Sequence, residues 1–222
     1  GLVASRGDSG IALTHGFHPD AVTLDIHLPD VDGWTVLERM KADTQTRHIP
    51  IVVITVDDEK ARGIKRGAYD VLIKPVSRNV LDEAFSAVGR FMCSNERRLL
   101  VVEDDDTQRN AIIDLVGGDD VQITAAADLD EAIAEVRKQQ FDCIILDLLL
   151  PGTKRFEALE AIQKEPNANH VPIIVYTGKD LTREEEIELN KLANSVILKD
   201  VRSPERLLYE TTLFLHRPIS SL

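Results

Sequence analysis

The stretch CIILDLLLPG, residues 143–152, places an aspartate at the point where an apolar run ends. The four residues before Asp147 suit a buried strand, and three leucines follow it, so we expect its carboxylate to lose much of its water. A carboxylate in such a place requires charged or hydrogen-bonding partners. The chemistry of this chain therefore depends on what surrounds Asp147.

A second stretch, AVTLDIHLPD at residues 21–30, repeats the arrangement. An offset of 122 residues matches Asp25 with Asp147, Pro29 with Pro151, His48 with His170, Pro50 with Pro172, and Thr55 with Thr177. A lysine after a further strand-like run completes each copy, Lys74 in YDVLIKP and Lys199 in SVILKD. A repeat of this length predicts two copies of one domain.

The second copy alternates short apolar, β-branched segments with helical ones. This pattern predicts a parallel sheet covered by helices on both faces, which is a doubly wound α/β domain with five strands. The predicted strands are LLVV, VQITAA, CIILD, PIIVYT and SVILK, and the predicted helices span residues 107–116, 128–138, 156–164, 182–192 and 203–216.

The first copy is expected to be incomplete. Glu103 precedes Asp147 by 44 positions, so the equivalent residue of the first copy would lie before Gly1. The first copy is therefore predicted to begin near its second strand, LVAS, and to lack its first strand and helix. We expect one domain over residues 1–92, a linker over 93–97 and a second domain over 98–217.

Several polar residues follow the predicted strands of the second copy. Asp147, Thr177 and Lys199 each end a strand, and Glu103 and Asp104 follow LLVV. Ligands of doubly wound sheets bind at the carboxyl ends of the strands, so these side chains are expected to meet. Clustered carboxylates repel one another unless a cation joins them, and oxygen ligands favour Mg²⁺, so Glu103, Asp104 and Asp147 are candidate metal ligands.

This group of residues also suits phosphoryl transfer. A carboxylate in contact with Mg²⁺ can attack a phosphoryl group and form an aspartyl phosphate. Lys199 and the metal would neutralise the charge on the phosphoryl oxygens, and Thr177 would donate a hydrogen bond. Asp147 is the predicted nucleophile.

Composition excludes other classes of function. A net charge of -12 disfavours direct binding of nucleic acid. Apolar runs fall short of the roughly 20 residues that span a bilayer, so we expect no membrane contact by this segment. The opening residues lack the charged and apolar blocks of a signal peptide, and the two cysteines form neither metal spacing nor a disulfide framework. We expect a cytoplasmic protein.

Together, VVEDDDTQR, ILDLLLP, the YTG threonine and the ILK lysine resemble a response-regulator receiver domain over residues 97–217. Residues 1–92 resemble a receiver without its first strand and helix. The resemblance implies phosphoacceptor roles for Asp147 and Asp25, Mg²⁺ binding at Glu103, Asp104 and the carbonyl of Leu149, and phosphate contacts from Thr177, Thr55, Lys199 and Lys74. It implies as phosphodonor the phosphohistidine of a histidine kinase or phosphotransfer domain. Tandem receivers are similar to part of bacterial hybrid histidine kinases, although this segment contains no kinase domain.

Three departures from the receiver pattern bear on the site. Arg155 stands where the first copy has Gly33, Asp200 replaces the proline that usually follows the lysine, and Val56 follows Thr55 where a small residue is usual. We expect a reshaped turn at Arg155, added negative charge beside Lys199 and narrower access to Asp25.

Two other functions compete with phosphoryl acceptance. One is a docking or inhibitory module that acts without phosphorylation, with one or both copies degenerate. The other is an aspartate-nucleophile phosphatase, which is disfavoured because Leu149 and His27 stand where a second acid would normally act.

Overall fold

The computed structural model describes residues 1–57, 59–93, 96–154, 156–168, 171–178 and 180–217. These residues divide into two units, one of residues 1–93 with 216 and 217, and one of residues 96–215. We call them unit 1 and unit 2. The predicted domain boundaries, 1–92 and 98–217 with a linker over 93–97, stay a prediction.

Unit 1 is an α/β unit with three parallel strands. Its elements are α1 (Gly7–Phe17), β1 (Val22–Asp25), α2 (Gly33–Ala42), β2 (Ile51–Thr55), α3 (Lys60–Lys65), β3 (Asp70–Ile73) and α4 (Arg78–Cys93). The strand order is β1-β2-β3, so β1 lies at an edge of the described sheet. Trp34, Leu37 and Met40 of α2 are buried on one face, and Ala84 and Val88 of α4 on the other.

One predicted strand of unit 1 is absent. LVAS was expected to form a strand, but residues 2–5 have no strand structure. In unit 2 the corresponding strand pairs only with the first strand of that sheet. The described residues of unit 1 contain no equivalent first strand, so LVAS has no neighbour with which to form a ladder, and the prediction is wrong.

Unit 2 is a complete doubly wound domain. Its elements are β4 (Arg97–Val102), α5 (Asp106–Val116), β5 (Val121–Ala126), α6 (Leu129–Lys138), β6 (Cys143–Leu146), α7 (Glu157–Gln163), a 3-10 turn (Pro166–Ala168), β7 (Ile173–Thr177), α8 (Arg183–Leu192), β8 (Ser195–Leu198) and α9 (Ser203–Phe214). The strands are all parallel in the order β5-β4-β6-β7-β8. The prediction of two parallel α/β domains is confirmed.

The sequence explains why these elements form. Every residue of β6 is buried, because helices cover both faces of the central strands and continuous apolar runs are required there. Helix α5 begins where the Asp105 carboxylate accepts the amide proton of Gln108, at 2.8 Å. Asp128 and Thr182 cap α6 and α8 in the same way. These caps satisfy amide groups that have no partner within the helix.

Candidate functional site

The topology of unit 2 brings the carboxyl ends of neighbouring strands to one edge. β4 lies between β5 and β6, and β7 lies between β6 and β8. Glu103 follows β4, Asp147 follows β6, Thr177 ends β7, and Lys199 follows β8. Backbone bonds fix these ends: the Asp147 amide donates to Val102 O at 2.9 Å, and the Lys199 amide donates to Thr177 O at 2.9 Å.

Lys199 is the centre of the resulting cluster. Its Nζ donates to Asp147 Oδ2 at 2.7 Å and to Glu103 Oε2 at 2.7 Å. The side chains of Glu103 and Asp147 are 2% and 4% exposed, and that of Lys199 is 17% exposed. Two nearly buried carboxylates therefore share one ammonium group, and the three groups together carry a net negative charge. The partners that a buried Asp147 requires are present in this cluster.

Asp147 and Glu103 differ in how the protein stabilises their charge. Burial raises the pKa of Asp147, but hydrogen bonds from Lys199, the Leu149 amide and Thr177 more than offset this, and its pKa is lowered. At Glu103, burial and the negative charge of Asp147 raise the pKa by more than the hydrogen bond and charge of Lys199 lower it, so the pKa of Glu103 is raised. The extra donors at Asp147 keep it an ionised acceptor, as a nucleophile requires.

Lys199 itself is held in its charged form. Burial lowers the pKa of its ammonium group, but the hydrogen bonds and charges of Asp147 and Glu103 outweigh burial, and the pKa is raised. Lys199 Nζ also lies 5.4 Å from the centre of the Tyr176 ring. A positive charge fixed beside the acceptor carboxylate can stabilise the negative charge of a phosphoryl group.

The sequence analysis did not predict two residues of the site, Gln108 and Tyr176. Gln108, on the first turn of α5, accepts a hydrogen bond from Lys199 Nζ at 2.8 Å. Tyr176 carries its hydroxyl 2.9 Å from the Ser203 hydroxyl at the start of α9. An exposed glutamine has no sequence signature, whereas an aromatic one residue before Thr177 could have been selected from its position.

Asp104 and Leu149 lie beside the cluster. Asp104 is exposed, and its carbonyl accepts from Arg109 at 3.4 Å. The Leu149 amide donates to Asp147 Oδ1 at 3.1 Å. Across the part of the chain that the structure describes, no three His, Cys, Asp or Glu side chains are arranged to hold a metal ion. The predicted ligand set of Glu103, Asp104, Asp147 and Leu149 stays a prediction.

The corresponding site in unit 1 is more open. Asp25 Oδ2 lies 2.5 Å from Lys74 Nζ, and the two side chains are 39% and 37% exposed. Thr55 is buried, and its hydroxyl accepts from the Asp57 amide at 3.2 Å. Burial raises the pKa of Asp25, but the hydrogen bonds from Lys74 and the His27 amide outweigh it, so its pKa is lowered. Aspartate and lysine are thus together here too, without a counterpart of Glu103 among the described residues.

The structure describes Gly33, the counterpart of Arg155 in the first copy, and Val56, one of the three departures. A Cβ atom at Gly33 would come within 2.5 Å of the Asp25 carbonyl, so this position requires glycine. Arg155, its counterpart, lies outside the described residues. Val56 is 55% exposed and follows the buried Thr55.

The family of the chain follows from a comparison of sequences. The family model named response regulator receiver domain matches residues 2–86 and 99–211. These two matches cover most of the chain and place one receiver in each unit. This chain belongs to the response regulator receiver family.

Relatives extend the comparison. The chain is 34% identical over 90 residues to protein PilH of Pseudomonas aeruginosa, covering 39% of this chain and 74% of that protein. It is 38% identical over 104 residues to protein-glutamate methylesterase/protein-glutamine glutaminase 2 of Anaeromyxobacter dehalogenans, covering 46% of this chain but only 28% of that protein. A solved CheY-like receiver domain from Methanospirillum hungatei is 26% identical, with a TM-score of 0.48, covering 54% of this chain and 94% of that one.

No described helix is long and apolar enough to cross a membrane.

Proposed function

We propose that the chain is a phosphoacceptor and signal-transducing module of a two-component phosphorelay, in which Asp147 accepts the phosphoryl group. The observation that carries this proposal is the pairing of a nearly buried, ionised Asp147 with Lys199 at 2.7 Å, supported by hydrogen bonds from Thr177 and the Leu149 amide. Receiver domains accept phosphoryl groups from histidine kinases or phosphotransfer proteins. We propose a phosphohistidine of such a protein as the donor.

The proposed step forms one bond and breaks one. A carboxylate oxygen of Asp147 attacks phosphorus, and the P–N bond of phosphohistidine breaks. The electron pair returns to the imidazole, which leaves neutral after it takes one proton from solvent. Lys199 and Thr177 stabilise the charge of the phosphoryl oxygens, so positioning and electrostatics supply most of the catalysis.

Mg²⁺ fits the chemistry of this site, because two carboxylates that share one ammonium group retain a negative charge and present oxygen donors. Glu103, Asp104, Asp147 and the Leu149 carbonyl would hold the ion, which when bound would neutralise the phosphoryl oxygens. The protein's own part is to keep Asp147 ionised and its partners in place.

Unit 1 is the better candidate for the second function, docking without phosphorylation. Asp25 and Lys74 form a half-exposed pair, and the described residues of unit 1 provide no second carboxylate beside them. We propose that unit 2 is the principal acceptor. The roles of Asp25, Thr55 and Lys74 in phosphorylation are the weaker proposal.

The wider context is proposed on the tandem arrangement alone. A bacterial hybrid histidine kinase in the cytoplasm would carry two receivers of this kind. Proteins similar to this chain include response regulator PleD of Caulobacter vibrioides and the methylesterase of Anaeromyxobacter dehalogenans, so a response regulator with two receivers is the competing assignment. Autophosphorylation of the parent polypeptide by ATP would distinguish a kinase from a regulator.

The test is phosphorylation of the whole chain by acetyl phosphate with Mg²⁺. We expect an acyl phosphate that hydroxylamine releases, lost in Asp147→Asn and retained in Asp25→Asn. The two variants are matched because they make the same change at equivalent positions of the repeat. If the wild-type chain forms no acyl phosphate, the proposed function is wrong. If only Asp25→Asn abolishes labelling, the assignment of the acceptor is wrong.

A further inference from the structure

The hydrogen-bonding capacity of Lys199 is fully used. An ammonium group has three N–H donors. The three acceptors are Glu103 Oε2 at 2.7 Å, Asp147 Oδ2 at 2.7 Å and Gln108 Oε1 at 2.8 Å. Lys199 can therefore donate to a phosphoryl oxygen only if one of these three acceptors gives way.

The three acceptors differ in how readily they can leave. While a phosphodonor approaches and before the P–O bond forms, Glu103 and Asp147 are both charged and almost completely buried, so loss of their cation at this stage would leave a desolvated charge without a partner. Gln108 is neutral and exposed, so its amide can turn to water at little cost. Gln108 is thus the acceptor that a phosphoryl oxygen displaces most easily.

The first turn of α5 holds Gln108 in place. Its backbone amide donates to the Asp105 carboxylate at 2.8 Å, which caps the helix. The next residue, Arg109, donates from Nη1 to the Glu103 carbonyl at 2.7 Å. The same helix end therefore fixes the loop that carries Glu103 and the amide that binds Lys199.

We propose that Gln108 is a positioning residue that holds Lys199 in the resting site and gives up its place to a phosphoryl oxygen when Asp147 is phosphorylated. This inference rests on the proposed function. Because the bond to Gln108 exists only in the resting state, it stabilises that state and slows phosphorylation. The release also frees the side chain of Gln108 from the site, so the first turn of α5 differs between the two states.

The test compares Gln108→Met, which keeps the length of the side chain but removes the acceptor, with Gln108→Glu, which adds charge. With acetyl phosphate and Mg²⁺, phosphorylation of Gln108→Met should be about 3- to 10-fold faster than that of the wild type, and that of Gln108→Glu slower by a similar factor. Gln122→Met on β5 is the matched control, since Gln122 is also an exposed glutamine but lies outside α5. The control should leave the rate unchanged.

A second measurement separates positioning from a structural effect. Hydrogen exchange of the Lys199 ammonium group, followed by ¹⁵N NMR, should be about 5-fold faster in resting Gln108→Met than in the wild type. The two proteins should exchange at equal rates once phosphorylated, because Gln108 has already left Lys199 in the wild type.

Three results would overturn the inference. Slower phosphorylation of Gln108→Met, or equal ammonium exchange in the resting proteins, would show that Gln108 does not restrain Lys199. An exchange difference that persists after phosphorylation would show that Gln108 does not leave. In each of these three cases, a wild-type protein that is still phosphorylated would leave the proposed function intact. A wild-type protein that forms no acyl phosphate would overturn both the proposed function and this inference.

Discussion

The two units contain the same aspartate, threonine and lysine at matching positions, yet their sites differ. The Asp147 side chain is 4% exposed and that of Asp25 is 39% exposed. β6, which precedes Asp147, has a strand on each side, whereas β1, which ends at Asp25, pairs with β2 alone among the described strands. The comparison shows that the motif alone does not make the site.

The difference comes from β4 and α5. In unit 2 these elements supply Glu103 and Gln108 and bury the other side of β6. All four residues of β6 are buried, while Thr23 of β1 is exposed. A strand and a helix that carry no part of the repeated motif thus convert an exposed ion pair into a nearly buried, three-acceptor site.

The largest effect should separate the two lysines. We expect Lys199→Met to slow acyl phosphate formation by about 100-fold, because a fixed charge at the phosphoryl oxygens is lost. Lys74→Met should change total incorporation by less than about 2-fold, since the Asp25–Lys74 pair is half-exposed and solvent screens it. Initial rates with acetyl phosphate and Mg²⁺ measure both. If the two variants lost the same fraction of the rate of acyl phosphate formation, both sites would be active and the difference in burial would not affect function.

The next effect concerns Gly33, the first residue of α2. Gly33→Ala should lower the free energy of unfolding of unit 1 by about 2–4 kcal/mol, because the new Cβ would meet the backbone of Asp25 and Ile26 within 2.6 Å. Urea unfolding followed by the fluorescence of Trp34, the only tryptophan in the sequence, measures this unit.

Gly89→Ala on α4 is the control for Gly33→Ala, because among the described residues no atom outside the neighbouring backbone of α4 lies within 4 Å of its added Cβ. This variant should raise the free energy of unfolding by up to about 1 kcal/mol, since alanine is the better helix former. A Gly33→Ala protein as stable as the control would show that α2 can move away from Asp25.

Much of the fold could be predicted from the sequence, because its signals are local. The continuous apolar run of CIIL required a strand buried on both faces, and the aspartate after it required a partner. The juxtaposition of Asp147, Lys199 and Glu103 followed from one rule, that parallel strands end at a common edge.

What could not be predicted depends on neighbours. LVAS has the composition of a strand, but a strand forms only beside another strand, and the described part of unit 1 offers none at that position. Gln108 could not be chosen because its role depends on how far a flexible side chain reaches across space. The opposite pKa shifts of Glu103 and Asp147 depend on which of the two carboxylates accepts the hydrogen bonds from the Leu149 amide and from Thr177.

Those shifts predict opposite effects of removing the two charges at pH 7 without Mg²⁺. The raised pKa of Glu103 means that its charge opposes folding above that pKa, so Glu103→Gln should raise the free energy of unfolding of unit 2. The lowered pKa of Asp147 means that its charge favours folding above its unfolded pKa, so Asp147→Asn should lower the free energy of unfolding of unit 2. Amide hydrogen exchange of β6 measures both.

The pH dependence is the control for this pair of variants. As the pH falls through the raised pKa of Glu103, the wild-type side chain takes up a proton and the advantage of Glu103→Gln disappears. The stabilising effect of Asp147 persists to lower pH and is lost as the pH falls through its lowered pKa. If both variants changed the free energy of unfolding of unit 2 in the same direction at pH 7, the charges of Glu103 and Asp147 would not have opposite effects on stability.

The smallest effect compares the equivalent helices α8 and α3. Thr182 and Glu185 form a reciprocal capping box at the start of α8, which has ten residues, whereas α3 has six residues and no side-chain cap. Thr182→Ala should lower the free energy of opening of α8 by about 1 kcal/mol, because two amide groups lose their acceptors or their orientation. Amide exchange along α8 measures this, and Thr107→Ala, inside the first turn of α5, is the control that makes the same change away from a cap. If the free energy of opening of α8 is the same in the two variants, the cap does not explain why α8 is longer than α3. Packing of Leu189 in the core would then explain the difference.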